Sequence, residues 1–173
     1  MKLRSFAVRA FAAAAVATAA VTGVAGTANA APAPALALFP AINGPVMPTL
    51  GQNDFCTGII DTAIETDPAR PGLATIALTP RGMHGIGPGW AQNPTCKIKV
   101  TIRWNLDYYG IPAGQLKEVE LLAGEGPGPT VRTEINPGTG IAAVSIGASW
   151  FSPWYNELRP QISLPVAGLF LVP

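Results

Sequence analysis

Histidine is nearly absent from this chain and cysteine is scarce, with one histidine and two cysteines in 173 residues. Charge is thin as well, since only 12% of the residues are Asp, Glu, Lys or Arg. One histidine and no C-x-x-C spacing exclude zinc sites, which need clustered ligands. Asp61, Glu65 and Asp67 are sequence neighbours, yet they lack a recognised calcium loop. No cysteine lies near Ala30, which excludes a lipid-modified terminus after it. Beyond residue 30 no apolar run reaches the roughly 20 residues that a membrane-spanning helix needs. The nearest candidate, Ile162 to Val172, is broken by Pro165, and proline interrupts a helix.

These scarcities are unevenly spread. Residues 1–30 hold Lys2, Arg4 and Arg9 but no carboxylate and no proline. A cationic start, an apolar stretch from Ala10 to Val24 and the small-x-small signature Ala28-Asn29-Ala30 read as a secretory signal peptide cut after Ala30. Its apolar core is too short for a membrane anchor. The alanine bias fits bacterial export, so the expected location is secreted, extracellular or associated with the cell envelope, with no transmembrane anchor after cleavage. Residues 31–173 carry all 18 prolines, 17 of the 19 glycines and a net charge of −2, from eight cations and ten carboxylates. That proline and glycine density excludes long helices.

In an oxidising compartment Cys56 and Cys96 are expected to form one disulfide. Residues 31–53, with five prolines, read as an extended, mostly irregular arm. Residues 54–173 then read as a single domain of short strands.

Lys97 to Trp104 gives the clearest strand. Ile98, Val100, Ile102 and Trp104 face one way, and Lys97, Lys99, Thr101 and Arg103 the other, which predicts one buried and one wet face. Phe55 to Glu65, Leu73 to Thr79 (stopped by Pro80), Lys117 to Leu122, Thr130 to Ile135 and Gly140 to Trp150 follow suit. Gln161 to Val172 supplies one last strand, or two separated by Pro165. About seven strands punctuated by turns predict an all-β fold, an antiparallel β-sandwich that is immunoglobulin-like or a small barrel. The order of Cys96 and Trp104 departs from the Cys, Trp, Cys order of immunoglobulin domains. If 97–104 and 117–121 are antiparallel neighbours, Lys97, Lys99 or Arg103 should face Glu118 or Glu120.

Little here suggests chemistry. His84 lies in a glycine-rich loop. As the base of a secreted hydrolase it would need Ser145, Ser149 or Ser152 as nucleophile and Asp54, Asp61 or Asp107 as orienter, with no G-x-S-x-G to support it. Pro88 and Asn93-Pro94 deny the helix that a phosphate-binding loop requires. Glu118 and Glu120 share a strand face, as a glycosidase pair might, but read better as a solvated edge answering the nearby lysines. Eight dispersed cations give no nucleic-acid footprint. No cofactor is expected.

The aromatic cluster is more telling. Trp150, Phe151, Trp154 and Tyr155 fall within six residues, and Tyr108 and Tyr109 follow the Trp104 strand. Trp150, Trp154, Tyr155, Tyr108 and Tyr109 are the candidate binding residues for an envelope glycan, lipid or protein. The expectation is a non-catalytic binding protein. The alternatives are a hydrolase using His84 and a purely structural envelope protein.

Overall fold

The computed structural model describes residues 33–35, 45–105, 115–152 and 157–173. The signal peptide expected at 1–30 lies outside them. Among the described residues, alternating apolar residues between proline and glycine turns fold into strands alone. Eight have five residues or more: β2 (Val46–Leu50), β3 (Thr57–Thr66), β4 (Ala74–His84), β5 (Cys96–Trp104), β6 (Leu116–Ala123), β7 (Val131–Ile135), β8 (Gly140–Ala148) and β12 (Val166–Val172). Four are two-residue pieces: β1 (Ala33–Pro34), β9 (Phe151–Ser152), β10 (Glu157–Leu158) and β11 (Ile162–Ser163). The count therefore exceeds the seven expected, because the segments around residues 46 and 162 also join ladders.

Two antiparallel sheets face each other as in a β-sandwich. The first runs β11-β2-β3-β4-β7, with β1 also on β3, and the second runs β12-β8-β5-β6. Among the places where the chain changes sheet are the connections from β4 to β5 and from β7 to β8. Since β4 lies beside β7 and β5 beside β8, these two connections interlock the sheets. Between them lie Ile60, Ile76, Leu78, Ile98, Val100 and Ile102, all fully buried. Each such side chain contributes about 1.5–3 kcal/mol on burial. Trp104 closes one end of the core, its Nε1 donating to the Asn136 carbonyl at 3.2 Å.

Cys56 and Cys96 form the expected disulfide, with 5.7 Å between their Cα atoms. Cys56 precedes β3 and Cys96 opens β5, so the bridge ties the first sheet to the second.

Three expectations change. Pro80 does not stop β4. Ile60 pairs with Pro80 and Ile59 with Gly82, leaving Arg81 as the extra residue of a bulge, a position where a missing N–H is tolerated. The segment read as an irregular arm contains β2, which pairs with β3 from Val46↔Asp61 to Leu50↔Thr57 and buries Met47. The outer face of β5 is only partly wet. Thr101 is buried and Lys99 and Arg103 are half-buried, because the chain at 158–165 returns against this face.

The predicted charge ladder forms in part. β5 and β6 are antiparallel neighbours with Lys99 opposite Glu120, and Lys97 Nζ lies 3.6 Å from Glu120. Glu118 instead turns to Arg159, which donates to both of its oxygens at 2.9 and 3.2 Å. Pro165 does separate two strands, and they belong to different sheets.

Candidate functional site

The site grows from a mismatch in strand length. β8 pairs with β5 only from Val100 to Trp104, so β5 extends past its neighbour toward Cys96. Unpaired backbone groups of a buried strand need other partners. Lys99 N–H donates to Gln161 Oε1 at 3.0 Å, and Gln161 Nε2 donates to the carbonyls of Lys99 and Ser149 at 2.8 and 2.9 Å. One side-chain amide thus replaces the missing strand neighbour. Gln52 N–H donates to the Lys97 carbonyl at 2.8 Å, and Lys97 N–H donates to Asn53 Oδ1 at 2.9 Å, which satisfies the next step.

Anchoring Gln161 fixes the segment around it. The Arg159 side chain is 2% exposed and packs beneath on Glu118, and its N–H donates to the Trp150 carbonyl at 2.6 Å. Trp150 is thereby held at the surface, 62% exposed. It does not fill the core, as an aromatic in a small sandwich commonly would.

Trp150 is the shared wall of two depressions. One, of about 300 Å³, is lined by Thr101, Arg103, Ser145, Ser149 and Ser163 with Pro165 at its rim. The other, of about 380 Å³, is lined by Gln52, Phe55, Arg159, Pro160 and Ile162. Phe55 and Ile162 are 69% and 58% exposed, so the indole sits in an apolar surface that continues onto the turn before Cys56.

That turn is strained. Asp54 and Phe55 have φ of 52° and 48°, and a bulky residue in the left-handed region costs roughly 1–3 kcal/mol. The glycine-rich loop holds it in place. Ile86 and Gly87 N–H groups donate to the Asp54 carbonyl at 3.0 and 2.9 Å, and Gly89 N–H donates to Asp54 Oδ1 at 2.9 Å. A Cβ on Gly87 would stand 2.5 Å from Asp54 Cα, so the approach requires glycine there. The glycines that might have suggested phosphate binding serve this clamp.

Among the described residues, His84 is exposed and its ring contact is edge-on to Trp90, with centroids 6.3 Å apart. No hydroxyl or carboxylate there hydrogen-bonds its ring. Ser145 and Ser149 line the depression beside Trp150, Asp54 is tied to Gly89, and Asp61 pairs with Arg81 at 2.7 Å. Asp107 and the side chain of Ser152 lie outside the described residues. Of the proposed carboxylate pair, Glu118 is committed to Arg159 and Glu120 to Lys97. Asp61, Glu65 and Asp67 diverge to Arg81, Arg132 and the Ala69 N–H, and no group of three metal-ligating side chains occurs among the described residues.

Of the candidate binding residues, Trp150 is at the surface. Trp154, Tyr155, Tyr108 and Tyr109 lie outside the described residues. Sequence reasoning missed Phe55, Arg103 and Ile162. Phe55 sits at the edge of a strand pattern, and Arg103 and Ile162 meet Trp150 only after the chain has reversed across β5.

No family model, curated protein or solved structure matches the chain.

Proposed function

We propose that this protein is an exported, non-catalytic binding protein of the bacterial cell surface or its surroundings, which holds a glycan, lipid or protein partner on the surface centred on Trp150. The observation that carries this reading is the exposure of Trp150 at the junction of two depressions, flanked by Phe55 and Ile162. Large exposed aromatic and aliphatic side chains gathered in one patch mark interaction surfaces, whereas single ones do not. Tyr108, Tyr109, Trp154 and Tyr155, which lie outside the described residues, stay candidate binding residues in this reading. The disulfide is compatible with an oxidising compartment, and no helix among the described residues is long and apolar enough to cross a membrane. The interlocked sheet crossings favour the immunoglobulin-like form of the sandwich over a closed barrel, although the disulfide joins different strands from those bridged in antibody domains.

The test is retention of the purified protein by envelope glycan, lipid and protein fractions, with Trp150→Ala in parallel. One fraction should retain the wild type and lose the variant. Equal retention of both proteins, or none by any fraction, would overturn the reading in favour of a purely structural role.

A further inference from the structure

We propose that the depression on the Arg103 side of Trp150 recognises a carboxylate carried on a sugar ring. The inference rests on the reading of Trp150 as a binding residue and adds the chemical class of the ligand.

Arg103 is the odd arginine among the described residues. Among the described residues, Arg70, Arg81, Arg132 and Arg159 each meet a carboxylate, respectively Glu134, Asp61, Glu65 and Glu118. Arg103 meets none, and no hydrogen bond from its guanidinium to a protein atom is formed among them. Its Nε is shut off from solvent and has no partner. A half-buried guanidinium without a counter-charge is costly, because partial desolvation is offset by nothing. The chain does not lack carboxylates to supply one, since residues 31–173 hold ten against eight cations.

The surroundings fit an incoming anion. On β5 and β8, Arg103 is directly opposite Ser145 and Thr101 opposite Gly147, so these positions share one face of the sheet. Gly147 leaves room for the return of the chain: a Cβ there would stand 3.2 Å from Pro165 Cβ and 3.3 Å from Ser163 Oγ. Ser163 Oγ accepts the Ala148 N–H at 2.7 Å, which leaves its own proton to donate outward. Among the described residues no carboxylate lines the depression, and Arg103 is the one cation that does.

A single guanidinium matches a monoanion, and its planar fork matches a carboxylate. A phosphate dianion would call for more positive charge than this lining offers. The hydroxyls of Ser145, Ser149 and Ser163 suit the hydroxyls of a saccharide, and the Trp150 indole offers a flat apolar wall for the ring. About 300 Å³ is room for one sugar unit rather than a folded partner.

The test is titration of the purified protein with D-glucuronate, D-glucose, acetate and inorganic phosphate, followed by NMR chemical shifts, for wild type, Arg103→Gln and Trp150→Ala. Glucuronate should bind saturably and more tightly than glucose or acetate. Arg103→Gln should weaken it about tenfold or more, to the level of glucose, because the charge-assisted bond is lost. Trp150→Ala should weaken glucuronate and glucose by similar factors. Arg103→Gln should leave the thermal midpoint unchanged or raised, since it removes no ion pair, and this separates recognition from a structural role. Undiminished glucuronate binding by Arg103→Gln, tighter binding of phosphate than of glucuronate, or no saturable glucuronate binding would each overturn the assignment. Trp150-dependent retention of an envelope fraction without glucuronate binding would overturn the anion assignment alone. Unchanged glucuronate binding by Trp150→Ala would overturn the shared wall.

Discussion

Removing the Cys56–Cys96 bridge should cost this domain about 4 kcal/mol. The bond closes a 40-residue loop, and the chain-entropy relation for a loop of that length gives this value at 25 °C. Against a typical total of about 5–15 kcal/mol, the bridge is a large share of stability. Two perturbations separate the crosslink from packing. Cys56→Ala/Cys96→Ala removes the bond and both sulfurs, whereas reduction keeps the sulfurs and breaks only the bond. Local crowding predicts their order. A Cβ on Gly51 would lie 2.3 Å from Cys96 Sγ and 2.7 Å from Cys56 Sγ, so the sulfurs sit against backbone with no spare room. Two unbonded thiols need more space than a bridged pair. The reduced wild type should therefore be the least stable form, the double alanine variant intermediate and the oxidised protein the most stable. Urea denaturation measures all three, and the steepness of the transition should rise once the crosslink no longer compacts the unfolded chain. A deficit below about 1 kcal/mol for the double variant would refute the reasoning, because unfolded-loop entropy would then not be what the bond removes.

The Glu118–Arg159 pair should behave as a buried ion pair, with side chains 11% and 2% exposed. Glu118→Gln should cost about 3–5 kcal/mol by removing the carboxylate that Arg159 is buried against, while Glu118→Leu/Arg159→Met together should cost much less. Urea denaturation of the two variants checks this, and equal costs would refute it. Asp61 offers the contrasting exposed case. The Arg81 hydrogen bond holds its carboxyl below the ordinary aspartate value, so its contribution is present above that value and is lost as pH falls through the lowered one. Carboxyl NMR should find Asp61 titrating below a typical aspartate, and Arg81→Gln should return it upward. No movement in the variant would place the cause elsewhere.

Much of the fold is legible because it is periodic. Ile98, Val100, Ile102 and Trp104 at alternate positions need only a buried face to become β5, and the cations between them suit β6, with Glu118 and Glu120, as a neighbour. What escapes this reading is non-local. Pro80 looks like a stop until the bulge at Arg81 gives it a place that asks for no N–H donor. Val46 to Leu50 looks like linker because Pro40 and Pro45 precede it and Pro48 lies within it, yet it pairs along β3, and Pro48 lies beyond Thr49 and Leu50, the residues that β11 pairs with, so its missing N–H is tolerated. Local composition reports propensity, whereas these outcomes depend on which backbone groups a neighbour leaves open.

The same logic explains why the surface site is illegible in sequence. Trp150, Arg103 and Phe55 are separated by scores of residues, and nothing in their spacing brings them together. The joining element is Gln161, a residue that in sequence reads as an ordinary polar position after a proline. Its amide completes the β5 edge that β8 abandons, and this places residues 159–163 against the second sheet. Arg159 then buries against Glu118, which withdraws from the cations of β5 one of the two carboxylates that sequence alternation offered to Lys97, Lys99 or Arg103, and Arg103 meets neither. An exposed indole and an unmatched guanidinium are thus two consequences of one edge repair. A surface assembled this way belongs to the seam of the sandwich rather than to any single strand, so its shape and charge can change through residues 158–165 while the interlocked core stays as it is.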